Sequence, residues 1–326
     1  NIYNTASGSW STAGNWSYGS VPISTENAFI PSGNAVTIGS STGAITNNLD
    51  IAGTLTISKG GSLIVSGTST GNVTYNRELT YVAGDANGWH LISSPVSGQT
   101  YNNTYASDNN LATDDGNTKR GLAYYDDSKG AGLKYTYLLS DDTNAAAFNA
   151  GTYAGSGVGY AAKRASTGTG NIAFTGTINT DNVNGVGVST AGNGFNLLGN
   201  PYTSYISSQT FLNDNTDLDQ TQIWVWKQDN SSGGNFIAMT NKADNFILAP
   251  GQGFFVKATT ATPVNFLETN QQANGDTFQK SARTEIKLLM NDGETNRFAK
   301  LYYLDNVTKG FDAGYEGEVF GGIKNS

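Results

Sequence analysis

The chain has one histidine, His90, and no cysteine, so the catalytic chemistry open to it is narrow. A thiol nucleophile, an iron–sulfur site, a cysteine-held zinc and a disulfide framework are all excluded. A serine nucleophile would need His90 beside a strained, exposed Ser, and no Gly-x-Ser-x-Gly elbow occurs. His90 lies between Trp89 and Leu91 in an alternating run that sends it to the face opposite those two. Gly-rich stretches such as Gly151 to Gly159 neither open a helix after a parallel strand nor lead into Gly-Lys-Ser/Thr. They read as turns and close-packed strand, not as phosphate loops. No catalytic residue is assigned.

Carboxylates are the second source of chemistry. A glycoside hydrolase needs one protonated acid and one base or nucleophile at a set separation. The aspartates gather in Asn- and Gly-rich loops: Asp108, Asp114 with Asp115, Asp126 with Asp127, Asp141 with Asp142, and Asp214, Asp217 and Asp219. Such loops commonly terminate turns through Asx hydrogen bonds. The run Asn213 to Asp219 alternates oxygen ligands as a calcium loop does, without the Gly and distant Glu of an EF-hand. Asp214, Asp217 and Asp219 are therefore candidate ligands of a structural calcium, beside the plainer reading of a solvated acidic loop. No other cofactor is implied.

Aromatic residues are the third. Trp224 and Trp226, two apart, share one strand face, and Tyr124 and Tyr125 occupy the corresponding place in an earlier copy of the segment. An interior face makes these rings core; a solvated face makes them a stacking surface for sugar rings. All four are the candidate ligand-binding residues. Tyr101, Tyr105, Tyr202 and Tyr205 carry the same two readings.

Strands must position these side chains. Charged residues are 13% of the 326, about half the usual share, while Gly numbers 41. A formal net charge of −8 leaves no electrostatic source for nucleic-acid binding. No apolar run approaches the roughly 18 residues of a membrane span, and the start at Asn1 is that of a mature exported chain or of a fragment. Up to about residue 80, Val36-Thr37-Ile38, Leu49-Asp50-Ile51, Leu55-Thr56-Ile57, Leu63-Ile64-Val65 and Val73-Thr74-Tyr75 alternate like strands between Gly- and Ser-rich turns. A β-meander or a short β-solenoid is expected, with Trp10 and Trp16 plugging its open end.

The middle of the chain is duplicated. Gly88-Trp89-His90-Leu91-Ile92-Ser93-Ser94-Pro95-Val96 aligns with Gly194-Phe195-Asn196-Leu197-Leu198-Gly199-Asn200-Pro201-Tyr202. Leu122 to Asp126 then aligns with Ile223 to Lys227, and Gly157 to Lys163 with Gly251 to Lys257. Each copy closes on a further alternating run, Asn171 to Thr175 and Pro263 to Leu267. His90 falls opposite Asn196, so a shared hydrogen-bonding role suits both. The pattern predicts β-sandwich or jelly-roll packing, as two sandwiches or as one duplicated sandwich. Helices are confined to connectors at Asp141 to Phe148 and Ser207 to Leu212. A hairpin is expected from Thr284–Met290 and Ala299–Leu304 around a turn at Asn291-Asp292-Gly293.

Several of these segments resemble one family. Trp89 to Pro95, Phe195 to Tyr202 and Ala249 to Val256 are similar to segments of the large secreted and cell-surface proteins that Bacteroidetes-type bacteria export through the type IX secretion system. So are Trp10 and Trp16 ahead of Val21-Pro22, and Ile30-Pro31-Ser32-Gly33. Arg283 to Leu289 and Thr308 to Gly317 resemble the stretch shortly before that family's C-terminal sorting domain, which is not visible in this sequence. The resemblance implies export with the type IX machinery as partner, and a secreted or cell-surface location. It implies no chemistry, and no catalytic motif is carried over.

The expectation is an all-β chain: a strand stack (1–80), two β-sandwich repeats (81–180 and 181–278), and the start of a C-terminal β-sandwich domain (279–326). Its expected role is non-enzymatic, in adhesion or contact with a glycan or surface polymer. A polysaccharide-degrading enzyme with dispersed carboxylates and a structural spacer are the alternatives.

Overall fold

The computed structural model describes residues 1–83, 88–168, 170–227, 235–240, 245–273, 285–291 and 296–302, and its architecture is all-β with several sheets. The first ten strands are β1 (Ile2–Tyr3), β2 (Gly8–Ser9), β3 (Ala28–Ile30), β4 (Ala35–Ile38), β5 (Gly43–Thr46), β6 (Leu49–Ile51), β7 (Thr54–Ile57), β8 (Ser62–Val65), β9 (Ser69–Thr70) and β10 (Val73–Glu78). They pair in parallel on three faces: β1-β3-β6-β9, β2-β4-β7-β10 and β5-β8. Neighbours in a face lie about twenty residues apart, as Ala28 opposite Leu49 and Gly43 opposite Ser62 show. The chain thus coils through the faces in turn, instead of folding back antiparallel as a meander would.

Alternation explains the stack. Ile30, Ile38 and Ile57 point inward and are buried, while their neighbours are exposed or half-exposed; Leu63 points inward too, beside a buried Ser62. The asparagines hold the corners. Asn27 Oδ1 accepts from Asn48 N–H and from the Asn47 and Asn48 side-chain amides, and Asn48 Oδ1 accepts from the Thr68 N–H and hydroxyl. These residues directly precede β3, β6 and β9, so each coil's turn is bonded to the next. At one corner Gly71 (φ 79°) brings its α-carbon so close to the Ile51 carbonyl that a Cβ would lie 2.1 Å from that oxygen. Trp10 and Trp16 are buried in the first coil, edge to face at 4.7 Å, with Trp16 Nε1–H donating to the Trp10 carbonyl.

The duplication is built into the topology. The first copy consists of β11 (Trp89–Ser93), α1 (Asn103–Asp108), β12 (Lys119–Tyr125), β13 (Tyr135–Leu139), α2 (Ala146–Asn149), β14 (Gly159–Lys163) and β15 (Asn171–Gly176). After β16 (Val183–Val186) come β17 (Phe195–Gly199), β18 (Tyr205–Ser207), α3 (Ser208–Asp214), β19 (Gln222–Lys227), β20 (Asn235–Thr240), β21 (Ile247–Leu248), β22 (Gly253–Lys257), β23 (Val264–Phe266) and β24 (Gln271–Gln272). The two main sheets have matching order, β11-β14-β12-β13 and β17-β22-β19-β20. Register matches too: Trp89 pairs with Lys163 as Phe195 pairs with Lys257, and Ala123 with Ala161 as Trp224 with Phe255. In both copies the lysine ammonium lies over its partner's ring, at 5.9 and 5.7 Å.

Each copy supplies one sheet of a single duplicated sandwich. Trp89, Leu91, Tyr125 and Ala161 of one sheet form one core with Phe195, Leu197, Trp224 and Phe255 of the other. Where the sheets meet, equivalent residues touch. Ser93 N–H donates to the Gly251 carbonyl at 3.1 Å, and Gly199 N–H donates to the Gly157 carbonyl at 2.9 Å. A Cβ on Gly199 would lie 2.0 Å from that of Ser93. A pseudo-twofold axis therefore passes between them.

The coil stack is joined to both copies. Its second face continues from β10 into antiparallel β15, so this sheet crosses the division placed at residue 80. On the third face, Leu63 N–H donates to the Thr203 carbonyl and the Thr203 hydroxyl donates back to the Leu63 carbonyl. Arg77 Nη1 donates to the Pro250 carbonyl. Ser207 caps α3 by accepting from Thr210 N–H, as its sequence context predicts, whereas α1, capped by Asn102, has no such expectation. β25 (Glu285–Asn291) and β26 (Asn296–Tyr302) pair antiparallel, forming the expected hairpin. Its turn, and Thr308 to Gly317, lie outside the described residues.

Gly199→Ser alone should destabilise the protein by about 3 kcal/mol, as overpacking of a tight site does. The exchanged pair Ser93→Gly with Gly199→Ser should recover most of that loss in thermal unfolding. An exchange no more stable than Gly199→Ser would remove the pseudo-twofold account of this contact.

Candidate functional site

The candidate stacking residues are not an open surface. Trp224 and Trp226 do share a face, but that face covers the other sheet. Trp224 is 1% exposed and Tyr125 7%, with Trp224 edge to face on Phe195 at 5.1 Å and Tyr125 on Phe255 at 4.8 Å. Trp226 is half-buried against Phe236. Tyr124 points to the opposite side, where it stacks on Tyr153 at 4.3 Å. The aromatic faces of the two copies cover each other in one core, so hydrophobic burial turns the rings inward. Tyr101, Tyr105, Tyr202 and Tyr205 are buried as well.

The three candidate calcium ligands are separately engaged. Asp214 accepts from the Asn270 amide, Asp217 from the Thr260 hydroxyl and Asp219 from Thr221 N–H. Among the described residues no three acidic or histidine side chains converge on a point that could hold a metal ion. His90 and Asn196 each tie down the loop before their strand: His90 Nε2 donates to the Thr80 carbonyl, and the Asn196 amide donates to the Ser189 and Gly194 carbonyls. Burial lowers the His90 pKa, and the Arg77 charge adds to this while the Thr80 bond opposes it.

A cleft forms between the copies, lined by Tyr125, Asp126, Asp127, Tyr153, Val188, Ser189, Phe195 and Asn196 among others. Its volume is about 40 Å³, far below the roughly 300 Å³ at which ligand pockets begin, so it admits water-sized groups only. At its base lies the buried Asp127, which no sequence signal distinguished from its neighbours. Its carboxylate accepts from Tyr125 Oη at 2.6 Å, Asn193 N–H at 2.5 Å and Phe195 N–H at 3.2 Å, and is ion-paired with Lys134. Burial raises its pKa, but the bonds from Lys134, Tyr125, Asn193 and Phe195 outweigh burial and the net shift is downward. Asp127 thus joins the β12–β13 hairpin of one copy to the first strand of the other. Asp126 is also shifted down: burial opposes the shift, and bonds from Ser128 and Tyr153 prevail. Among the described residues, each carboxyl with a displaced pKa, Asp114 and Asp141 included, is displaced downward. None of these four is a proton donor at neutral pH.

The coil stack presents what the sandwich hides. On its second face Ser9, Thr37, Thr56, Thr74 and Thr175 stand in register on adjacent strands, facing outward. Thr74 and Thr175 hydroxyls are 3.1 Å apart. On its first face Tyr3, Phe29, Asp50 and Thr70 form a second outward row. Residues 1–58 contain two charged side chains, Glu26 and Asp50. The alternation in each strand marks these residues as outward; their lateral alignment depends on coil register, which the sequence pattern left unspecified.

Removing the Asp127 charge by Asp127→Asn should cost about 3 kcal/mol, the low end for breaking a buried pair, since Lys134 keeps 24% of its side-chain surface exposed. Because the folded-state pKa of Asp127 is lowered, its contribution is present above the ordinary aspartate pKa. It is lost as pH falls through the folded value. Melting temperatures of wild type and Asp127→Asn should therefore converge as pH drops below about 4, and parallel pH curves would contradict this role. EDTA should leave the melting temperature of the wild type unchanged.

No curated protein and no solved structure matches the chain. The family described as Domain of unknown function (DUF8693) matches residues 2–325, from the first coil past the C-terminal hairpin, and the chain belongs to that family.

Proposed function

We propose that this chain is a non-enzymatic module of an exported, surface-located protein, used in adhesion through contact with a neutral carbohydrate polymer. The observation that carries this reading is the set of outward rows that parallel register lines up on the coil stack, Ser9, Thr37, Thr56, Thr74 and Thr175 on one face and Tyr3, Phe29, Asp50 and Thr70 on another, with two charged side chains among residues 1–58. Straight rows of hydroxyls and rings at the strand spacing of about 4.8 Å offer donors, acceptors and stacking surface to a polyhydroxylated chain and give no cation for a polyanion to find. The type IX resemblance supplies the route to the surface. Asp114, Asp126, Asp127 and Asp141, each shifted downward, do not suit the acid of a glycosidase, which must keep its proton near neutral pH. Among the described residues no helix is long and apolar enough to cross a membrane.

Pull-down on insoluble cellulose, chitin, starch and β-glucan, with and without calcium, tests this reading. Retention on at least one neutral polymer is expected, insensitive to EDTA and little changed by salt, since exposed charge pairing is what salt screens. No retention on any polymer would overturn it, and release of reducing ends from a retained polymer would favour the enzyme instead.

A further inference from the structure

We propose that the carbohydrate contact is made by the first face of the coil stack, through Tyr3, Phe29, Asp50 and Thr70 with Tyr18 beside them, and that the ligand is a linear neutral polysaccharide. This inference rests on the reading of the chain as a carbohydrate-contact module and assigns that contact a site.

In β1, β3 and β6 the residues flanking the row, Ile2, Ala28, Ile30, Leu49 and Ile51, are buried. Alternation then leaves Tyr3, Phe29, Asp50 and Thr70 on the outer surface. Parallel register lines them up, Tyr3 opposite Phe29, Phe29 opposite Asp50 and Asp50 opposite Thr70. The row spans three inter-strand steps, roughly 14 Å, which suits several linked sugar rings better than one. Its two ends differ in chemistry. Tyr3 and Phe29, with ring centroids 5.6 Å apart, offer apolar surface to the C–H face of a pyranose. Asp50 and Thr70, bonded to each other at 2.6 Å, offer fixed acceptors and a hydroxyl to its equatorial OH groups.

Tyr18 is the residue that local folding does not explain. It is 88% exposed, and its backbone sits at φ 64° and ψ 8°, a conformation that Gly or Asn adopts readily and a bulky aromatic does not. Neither burial nor backbone preference favours tyrosine there, and residues held against such preference cluster at binding sites. Its place is fixed beside the row: Ser17 Oγ accepts from Tyr3 N–H at 2.9 Å, and Asn4 bridges to Trp16. Tyr3 is itself 47% exposed. The absence of Lys and Arg from residues 1–58 commits the partner. An acidic polymer would find no cation on this face, so affinity must come from stacking and hydroxyl bonding.

The test uses the full chain and whichever polymer retains the wild type, with binding isotherms for Tyr18→Asn, for Tyr3→Thr with Phe29→Thr, and for Thr37→Val with Thr56→Val on the other face. Circular dichroism and melting temperature accompany each. The Tyr3/Phe29 pair should weaken binding about tenfold, as loss of stacking contacts does. Tyr18→Asn should weaken it severalfold with a melting temperature equal to or above that of the wild type. That variant also decides the question if the double substitution fails to fold. Tyr3/Phe29 and Tyr18 variants that bind like the wild type, with binding lost instead in the Thr37/Thr56 pair, would overturn this site and leave the carbohydrate reading standing. A wild type retained by no polymer would overturn both.

Discussion

The rest of the sandwich depends on how closely β11 and β17 approach at Ser93 and Gly199. These equivalent residues lie so near that one of the two must lack a side chain, and Gly199 does. The approach lets each strand end bond to the turn before the partner copy's β14 or β22 strand, Ser93 to Gly251 and Gly199 to Gly157. With the sheets joined at that line, their aromatic faces have nowhere to go but against each other. Burying a large aromatic side chain contributes roughly 1.5–3 kcal/mol, so a face of several rings outweighs any cost of joining the copies. Asp127 becomes buried as a consequence, and its charge survives there because Lys134, a phenol and two backbone N–H groups replace the water it lost.

Packing and display are thus divided between the two parts of the chain. In the sandwich both faces of each main sheet are covered, one by the partner sheet and the other by α1, α3 and the flanking strands. The coil stack covers only the inner side of each strand. On its first two faces the outer side is left exposed or half-exposed, and parallel register converts one outward residue per coil into a straight row. On the third face, by contrast, Thr203 and Tyr205 of the second copy pack against β8 and the turn before it, and Ser62 is buried. Such a surface suits an extended partner. The low charge of the chain then has a location: among residues 1–58 it leaves hydroxyls, amides and a few aromatics as the means of recognition.

Much of this was legible from local pattern. The alternation in Val36-Thr37-Ile38 and Leu55-Thr56-Ile57 is a property of neighbouring residues, and so is the cap at Ser207. The duplication was visible because Trp89 to Val96 and Phe195 to Tyr202 keep the same order of side-chain types, and His90 and Asn196 hold equivalent loop-anchoring bonds. The fate of Trp224, Trp226 and Tyr125 was not legible. Period-two alternation says that Trp224 and Trp226 share a face and says nothing of what that face meets. Asp127 resembled every other loop aspartate, since its four partners come from Tyr125, Lys134 and the start of β17, nearly seventy residues away.

The sequence by itself determined the clearly alternating strands of the coil stack and of the duplicated unit, which side of each is apolar, that the middle of the chain is a doubled unit, and that thiol and zinc-cluster chemistry is closed to it. These follow from residue types and spacings of one to four positions, where backbone geometry alone sets direction. Only the tertiary structure decided that the two copies make one sandwich, that the paired aromatics are core, and that Tyr3, Phe29, Asp50 and Thr70 stand in line. Those outcomes depend on register and docking between segments distant in sequence, where burial of one face against another selects among arrangements that local pattern leaves equal.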